Sequence, residues 1–191
     1  MTIVYIHGAN ATSESFSRIR EHITDSSIVV DYDSGEGFDN NLAAMIKKLQ
    51  PYSHLFFVGH SLGGVYSLYL ANHFSKKTLG AVTLSTPYGG SRHADYARYF
   101  LPWSRLMRDI GPNSRPMSQI KNLDLPAPWT NVVTTRGASP WIVEPNDGVV
   151  TLESMRFRDD MELIDVDLNH YEVVISDRTI AIIRDRLPTS K

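Results

Sequence analysis

The sequence predicts an α/β fold in which a parallel β-sheet carries helices on both faces. Short apolar runs, each about one strand long, alternate with segments whose apolar residues recur at helical spacing. Several of these runs are continuously apolar, which is typical of parallel strands buried on both sides. Six strands are predicted, at residues 3–6, 27–32, 55–58, 79–84, 131–135 and 161–166.

The first half of the chain predicts three helices between its strands. Phe16, Ile19 and Ile23 mark one face of an amphipathic helix after the first strand. A second helix begins near Asp39 and ends at Pro51, with its apolar face at Leu42, Met45, Ile46 and Leu49. A third follows the third strand directly, over residues 65–71.

The second half is less regular. Between residues 92 and 129 the helical pattern breaks into short pieces separated by prolines. The fifth and sixth strands follow, and a closing helix is marked by Ile180, Ile183 and Leu187. Either Ser176 or Asp177 is expected to cap that helix.

Length and composition indicate one ordinary globular domain. The chain has 191 residues, 42% hydrophobic and 21% charged, with a formal net charge of −2. Nothing in this charge indicates a nucleic-acid partner. The chain has no cysteine, no apolar stretch long enough to span a bilayer and no signal-peptide pattern at Met1. We therefore expect a cytoplasmic protein without stable membrane insertion.

The segment 59–64, Gly-His-Ser-Leu-Gly-Gly, joins the third strand to the third helix. A G-x-S-x-G pattern at such a junction is that of a nucleophile elbow, in which a sharp turn holds the serine above the sheet. Gly59 and Gly63 lack side chains where strand and helix pass closely. Ser61 is therefore the candidate nucleophile. The alternative is a tight turn in which Ser61 only caps the helix.

A serine hydroxyl needs a neighbouring base to accept its proton. Hydrolases with this elbow place the triad in the order serine, acid, histidine along the chain. Of the seven histidines, only His170 follows the last strand. His60 is adjacent to Ser61, but neighbouring side chains on a sharp turn are expected to diverge. His170 is therefore the candidate base, and the alternative is an exposed loop histidine.

The acid that orients the base should lie between Ser61 and His170, after a late strand. Asp147 follows the fifth strand and is followed by Gly148, which suits a turn. Its role would be to fix the imidazole tautomer and stabilise the imidazolium. Glu144 is the nearest rival, and an Asp-Gly turn without catalytic role is the alternative reading.

The negative oxygen that forms during acyl transfer needs backbone N–H donors. We expect one from Leu62, directly after the nucleophile, and one from Ala9, in the loop after the first strand. If the second and third strands flank the first, the strand order reverses between strands one and three. His7, Gly8 and Ser61 would then meet at the crevice where ligands bind.

The elbow segment 59–64 resembles that of the small bacterial lipase and esterase branch of the α/β-hydrolase superfamily. Four further segments share the resemblance: His7-Gly8, 85–91 (Ser-Thr-Pro-Tyr-Gly-Gly-Ser), 146–150 (Asn-Asp-Gly-Val-Val) and Asn169-His170. The resemblance runs in order over nearly the whole chain. It implies a minimal α/β-hydrolase fold with about six mostly parallel strands and a single domain, 1–191, with a short lid at 92–129. It also implies a pocket with His7, Tyr88, Trp103 and Met107 as candidate substrate-binding residues.

The function implied is a serine carboxylic-ester hydrolase that works through an acyl-enzyme and needs no metal or organic cofactor. Its partner would be a small acyl ester or thioester. A thioesterase or acyltransferase would use the same residues. A catalytically silent hydrolase fold that serves as a binding module is the alternative of a different class.

The predicted lid carries a local charge. Between Arg92 and Asn122 there are six basic and two acidic side chains, an excess of four positive charges, interleaved with aromatic residues. One interpretation is an amphipathic cap with its arginines in water. The other is a lid whose arginines meet an anionic substrate such as an acyl-CoA or a phospholipid.

Overall fold

A computed structural model describes residues 1–90, 111, 114–140 and 142–189 of the chain. The predicted lid lies partly outside these residues, and Trp103 and Met107 lie wholly outside them.

A six-stranded sheet runs through the described residues. Its strands are β1 (Thr2–Ile6), β2 (Ser27–Val30), β3 (Leu55–His60), β4 (Thr78–Leu84), β5 (Trp129–Thr134) and β6 (Glu162–Val166). They lie in the order β2-β1-β3-β4-β5-β6, and each neighbouring pair is parallel. The predicted fold class and the reversal between the first and third strands are thus confirmed. β3 continues to His60, up to the nucleophile elbow itself.

Helices follow most strands, as parallel pairing requires. They are α1 (Ser17–His22), α2 (Phe38–Leu49), α3 (Leu62–His73), α4 (Arg115–Gln119), α5 (Leu152–Met155) and α6 (Asp177–Arg186). Short 3-10 turns cover Ser13–Phe16, Ile120–Asn122 and Glu172–Val174. Of the two predicted caps for α6, Ser176 is the cap, since its hydroxyl accepts the Arg178 N–H.

Both faces of the sheet are covered by helices. Successive side chains of a strand point to opposite faces. On β1, Val4 and Ile6 belong to the core beneath α2 and α3, whereas Ile3 and Tyr5 belong to the core beneath α1 and α6. Burial on both faces explains why the strands read as continuous apolar runs.

The N-terminus of α3 packs against the end of β1 at van der Waals contact. A Cβ added to Gly63 would lie 2.0 Å from the Ile6 carbonyl oxygen. Only glycine allows this approach. It brings the elbow beside the loop that follows β1, which is where the second oxyanion donor was predicted.

No helix in the described ranges combines the length and the apolar character needed to cross a membrane.

Candidate active site

Ser61 stands on the turn between β3 and α3 in a rare backbone conformation, with φ 53° and ψ −122°. A non-glycine residue in such a region costs about 1–3 kcal/mol, which the surrounding structure must offset. Its N–H donates to the Leu84 carbonyl at 2.8 Å, which helps to fix the turn. The hydroxyl makes no capping hydrogen bond to α3. This contradicts the reading of Ser61 as a helix cap, and the structure shows no partner for its oxygen among the described residues.

Asp147 and His170 are paired twice. Asp147 Oδ2 lies 2.8 Å from His170 Nδ1, and the His170 N–H donates to the Asp147 carbonyl at 3.1 Å. Both residues are buried. Asp147 follows β5 and His170 follows β6, so both lie at the carboxyl edge of the sheet that also carries the elbow.

The Asp147 carboxylate is held by four donors. Oδ1 accepts the N–H groups of Val149 at 3.0 Å and Val150 at 2.8 Å, and Oδ2 accepts the Thr134 hydroxyl at 2.5 Å in addition to His170. Burial alone would raise the pKa of Asp147, but these hydrogen bonds and the charge of His170 lower it below its ordinary value. The carboxylate therefore stays ionised, as an orienting acid must.

The turn after Asp147 depends on Gly148. Its φ of +100° lies in a region that side chains other than glycine rarely adopt. The turn directs the Val149 and Val150 amides back to the carboxylate. Glu144, the rival carboxylate, is exposed.

His60 has a place that the sequence did not predict. It is buried, its ring centroid lies 4.8 Å from that of His170, and its Nε2–H donates to the His170 carbonyl at 2.9 Å. Burial, followed by repulsion from His170, lowers the pKa of His60 to about 3, so its ring is neutral at physiological pH. The sequence analysis set His60 aside because its side chain is expected to diverge from that of Ser61. It did not predict that His60 supports the backbone of the candidate base.

The candidate oxyanion donors lie beside Ser61. A Cβ added to Gly8 would stand 3.2 Å from Ser61 Cβ, so the loop after β1 passes next to the nucleophile. The Leu62 N–H, at the first turn of α3, has no intrahelical acceptor. The Ala9 N–H donates to no acceptor among the described residues. Both amides are thus free to receive an anionic oxygen.

His7 fixes the peptide that carries the Ala9 N–H. Its Nδ1–H donates to the Gly8 carbonyl at 2.8 Å. The Gly8 carbonyl and the Ala9 N–H belong to one planar peptide unit, so holding the carbonyl also holds the N–H. His7 is 1% exposed, and its ring stacks on the Tyr32 ring with 4.4 Å between the ring centroids. This burial does not favour the expected direct contact of His7 with substrate.

Tyr88 is also placed differently from the expectation. It is fully buried, and its hydroxyl donates to Thr83 at 3.0 Å and accepts the Trp129 Nε1–H at 2.8 Å. Its contacts are those of a core residue rather than of a pocket wall. Two exposed residues that the sequence did not single out as substrate contacts adjoin the pair: Val149, whose N–H donates to Asp147, and Tyr171, whose ring centroid lies 5.5 Å from that of His170. Within the described ranges, no group of three or more His, Asp or Glu side chains is arranged to hold a metal ion.

Comparison with known proteins shows the fold. No protein-family model matches the chain, and a search of curated proteins gives no match. Among solved structures, the mature lipase BlEst2 of Bacillus licheniformis is similar with a TM-score of 0.76 at 18% identity, over 96% of this chain and 90% of that one. A metagenomic carboxyl esterase is similar with a TM-score of 0.77 at 16% identity, over 97% and 75%. A lipase-esterase related protein of Clostridium acetobutylicum gives 0.67 at 14% identity, over 97% and 94%. The chain therefore has the α/β-hydrolase fold.

Proposed function

We propose that the protein is a serine hydrolase of carboxylic esters that works through an acyl-enzyme. The observation that carries this proposal is the buried hydrogen bond between Asp147 Oδ2 and His170 Nδ1, formed at the sheet edge that carries the strained Ser61. A buried, ionised carboxylate paired with an imidazole beside an uncommitted serine hydroxyl is the arrangement that serine acyl transfer requires.

In the first half-reaction, Ser61 Oγ attacks the ester carbonyl carbon while His170 Nε2 takes the hydroxyl proton. Asp147 holds Nδ1–H, which keeps Nε2 free to act as the base. The carbonyl oxygen becomes an anion and receives the N–H groups of Ala9 and Leu62. Collapse of this intermediate breaks the ester C–O bond, and the alcohol leaves with the proton from His170.

In the second half-reaction, water takes the place of the alcohol. His170 Nε2 accepts a proton from the water as its oxygen attacks the acyl-Ser61 carbonyl, and the same two amides hold the oxyanion. When the intermediate collapses, Ser61 Oγ leaves and recovers the proton from His170. The carboxylic acid is released.

The resting geometry is looser than the reacting one. In the part of the chain that the structure describes, no hydrogen bond joins the Ser61 hydroxyl to His170. Nucleophile–base contacts of this kind are often long before substrate binds and tighten in the complex. What is already fixed is the base: its ring by Asp147 and its backbone by Asp147 and His60.

The neighbouring structures support an ester as substrate, since they are a lipase and a carboxyl esterase. The exposed Val149 and Tyr171 beside the pair offer apolar surface that suits an acyl chain. A thioester or an acyl acceptor other than water would use the same residues. Rates with an ester, a thioester and an amide of one acyl length, each with and without an added alcohol acceptor, separate these reactions.

The decisive experiment treats wild type and Ser61→Ala with a fluorophosphonate probe and measures ester hydrolysis. We expect the probe to label Ser61 alone, and we expect Ser61→Ala to lower kcat by roughly 10⁶, as for removal of the serine in another triad enzyme. Ser53→Ala is a matched control, because the exposed Ser53 hydroxyl lies 2.9 Å from His54 Nδ1 but on no elbow. Labelling or turnover that survives in Ser61→Ala would contradict the proposal.

A further inference from the structure

We propose that Ser85 and Thr134 form a relay of two buried hydroxyls that positions Asp147 and limits how strongly its carboxylate attracts the proton of His170. This proposal rests on the triad proposed above. Ser85 and Thr134 are positioning residues, since neither touches the reacting atoms.

The relay joins the ends of two neighbouring strands. Ser85 follows β4 directly, and Thr134 is the last residue of β5. Their hydroxyl oxygens lie 2.8 Å apart, and Thr134 Oγ1 lies 2.5 Å from Asp147 Oδ2. Both residues are 0% exposed, so water does not compete for these hydrogen bonds. The chain of contacts is Ser85, Thr134, Asp147 and then His170.

The direction of each hydrogen bond follows from the ionised carboxylate. Asp147 has no proton to give, so the single proton of the Thr134 hydroxyl must point to Oδ2. Thr134 Oγ1 can then only accept from Ser85, whose hydroxyl proton is fixed in turn. Hydroxyl donors in series polarise one another, so Ser85 strengthens the hydrogen bond from Thr134 to the carboxylate.

Ser85 is held in a strained backbone conformation. Its φ is 51°, and its N–H donates to the Val132 carbonyl at 2.9 Å. Within the described residues, the other non-glycine positions with positive φ are Asn10 and Ser61, which also stand in turns at the carboxyl edge of the sheet. Such strain persists where the surroundings fix it, and it concentrates at functional sites. In Ser85, the strained backbone carries a hydroxyl that donates to Thr134 Oγ1.

The chemical effect concerns Oδ2, which Thr134 and His170 share. The Thr134 donor neutralises part of the carboxylate charge. Without it, His170 would be the one described donor left on Oδ2, while the Val149 and Val150 amides still hold Oδ1. His170 would hold its second proton more tightly, and a base that is protonated too readily is inactive at lower pH. Among the described residues, the other ionisable groups near His170 are His60, the Tyr171 ring and Glu172, which is on the same loop as His170 and is paired with Arg136 from the loop after β5. His60 is neutral, and all of them stay unchanged in a Thr134 variant.

Thr134→Val tests the relay with almost no change of shape, because a methyl group replaces the hydroxyl. Thr134→Ser keeps the donor and loses only a methyl group. Thr179→Val is the matched control: Thr179 is also 0% exposed, and its hydroxyl has no hydrogen-bond partner among the described residues. All three are measured for kcat, KM and the pH profile of kcat/KM on one ester.

In Thr134→Val we expect the acid limb of the kcat/KM profile to move to higher pH by about half a unit. A shift of this size corresponds to part of the free energy of one hydrogen bond. We expect kcat to fall roughly 10-fold with little change in KM, because the carboxylate is held less firmly. Thr134→Ser should keep the limb in place, and so should Thr179→Val. A loss of thermal stability in Thr134→Val with an unmoved limb would show that the hydroxyl is merely structural.

A second readout does not need turnover. The Nδ1–H proton of His170 gives an NMR resonance that is identified by its absence in His170→Gln. In Thr134→Val we expect this resonance to move downfield, because the hydrogen bond to a less neutralised Oδ2 is stronger. A moved resonance supports the relay even if Ser61→Ala retains activity, so failure of the relay and failure of the proposed function are distinguishable.

Ser85 gives an independent pair of variants if Thr134→Val does not fold. Ser85→Gly and Ser85→Ala both remove the hydroxyl, but only glycine relieves the strained φ. Both should move the acid limb in the direction of Thr134→Val, by a smaller amount, while Ser85→Gly is the more stable. A limb that moves in neither variant would overturn the relay.

Discussion

At the scale of single residues, the choice between two carboxylates rests on burial. Asp147 is 1% exposed and accepts four hydrogen bonds, one from the His170 ring, whereas Glu144 is exposed three residues earlier. We predict that Asp147→Asn lowers kcat by up to about 10⁴, because an amide at this position favours the wrong imidazole tautomer. Steady-state kinetics on a neutral ester measure the loss.

Glu144→Gln is the matched control, since it makes the same chemical change on the same loop. We expect its kcat to stay within a factor of two or three of wild type, since substitutions of solvent-exposed side chains usually have little effect. A larger loss in Glu144→Gln than in Asp147→Asn would transfer the orienting role to Glu144.

His60 is the last residue of β3 and contacts the backbone of His170, the proposed base. Its Nε2–H is the described donor to the His170 carbonyl, while Asp147 holds the His170 N–H. We predict that His60→Ala lowers kcat by roughly 10-fold to 100-fold, because a small displacement of a catalytic group is costly. His60→Gln should recover much of this loss, since its amide N–H can reach the same carbonyl.

The comparison of the two variants separates positioning from simple filling of space. If the support acts through the hydrogen bond, His60→Gln should recover kcat and leave the pH profile unchanged. Equal losses of kcat in His60→Ala and His60→Gln would contradict a positioning role.

Chain order predicted Asp147 and His170, because each follows a late strand and the strand ends of a parallel sheet meet at one edge. Chain order gives no such signal for the residues whose hydroxyl groups support Asp147. Ser85 and Thr134 are 49 positions apart, and each is an ordinary polar residue at a strand end. Their contact depends on the pairing register of β4 with β5, which no short-range pattern encodes. Tyr88 was expected to contact substrate, but its ring is buried in the core. A motif gives the position of a residue in the chain but not the packing of its side chain.

At the scale of elements, the two glycines of the site have different physical roles. Gly63 is required by space: an added Cβ would lie 2.0 Å from the Ile6 carbonyl oxygen. Gly148 is required by conformation: its φ is +100°, but nothing lies within 4 Å of an added Cβ.

We predict that Gly63→Ala destabilises the fold by about 3 kcal/mol or more, because backbone has to move. Gly148→Ala should cost only about 1–2 kcal/mol, the usual cost of a side chain in this region of backbone space. Urea denaturation followed by circular dichroism measures both. Equal losses of stability would contradict the distinction.

Strands were easier to predict than turns in this chain. β1, β3 and β4 are buried on both faces, so their apolar runs have few competing interpretations. The first helix instead opens with a 3-10 turn at Ser13–Phe16, and β2 ends at Val30, two residues earlier than predicted. Both differences lie at element ends, where tertiary contacts rather than local pattern decide the boundary.

At the scale of the whole molecule, the sheet order converts distant sequence segments into one site. β3 lies between β1 and β4, and β5 and β6 follow on the same side. The loops after β1, β3, β5 and β6 therefore bring the proposed oxyanion donors, nucleophile, acid and base to one edge of the sheet. This arrangement was predictable, since short right-handed connections leave few orders for six parallel strands.

Concentrating ionisable groups in a buried site also makes stability depend on pH. In the folded protein the pKa of His60 is lowered to about 3 from its ordinary 6.5, chiefly by burial. Below pH 6.5 the unfolded chain binds a proton at this residue that the folded chain does not, so stability falls as pH falls, down to about pH 3. Asp147 acts in the same direction, but its lowered pKa matters only below its ordinary 3.8. Between pH 6 and pH 4.5, the loss of stability that these two residues cause therefore comes mainly from His60.

We predict that the unfolding free energy of wild type decreases between pH 6 and pH 4.5 by roughly 2 kcal/mol more than that of His60→Gln, at ~1.4 kcal/mol per proton and pH unit. Urea denaturation at several pH values in this range measures both slopes. His54→Gln, which removes an exposed histidine, should keep the wild-type slope. If wild type and His60→Gln lose stability in parallel on acidification, His60 is protonated in the folded protein, and its hydrogen bond to the His170 carbonyl is not that of a neutral ring.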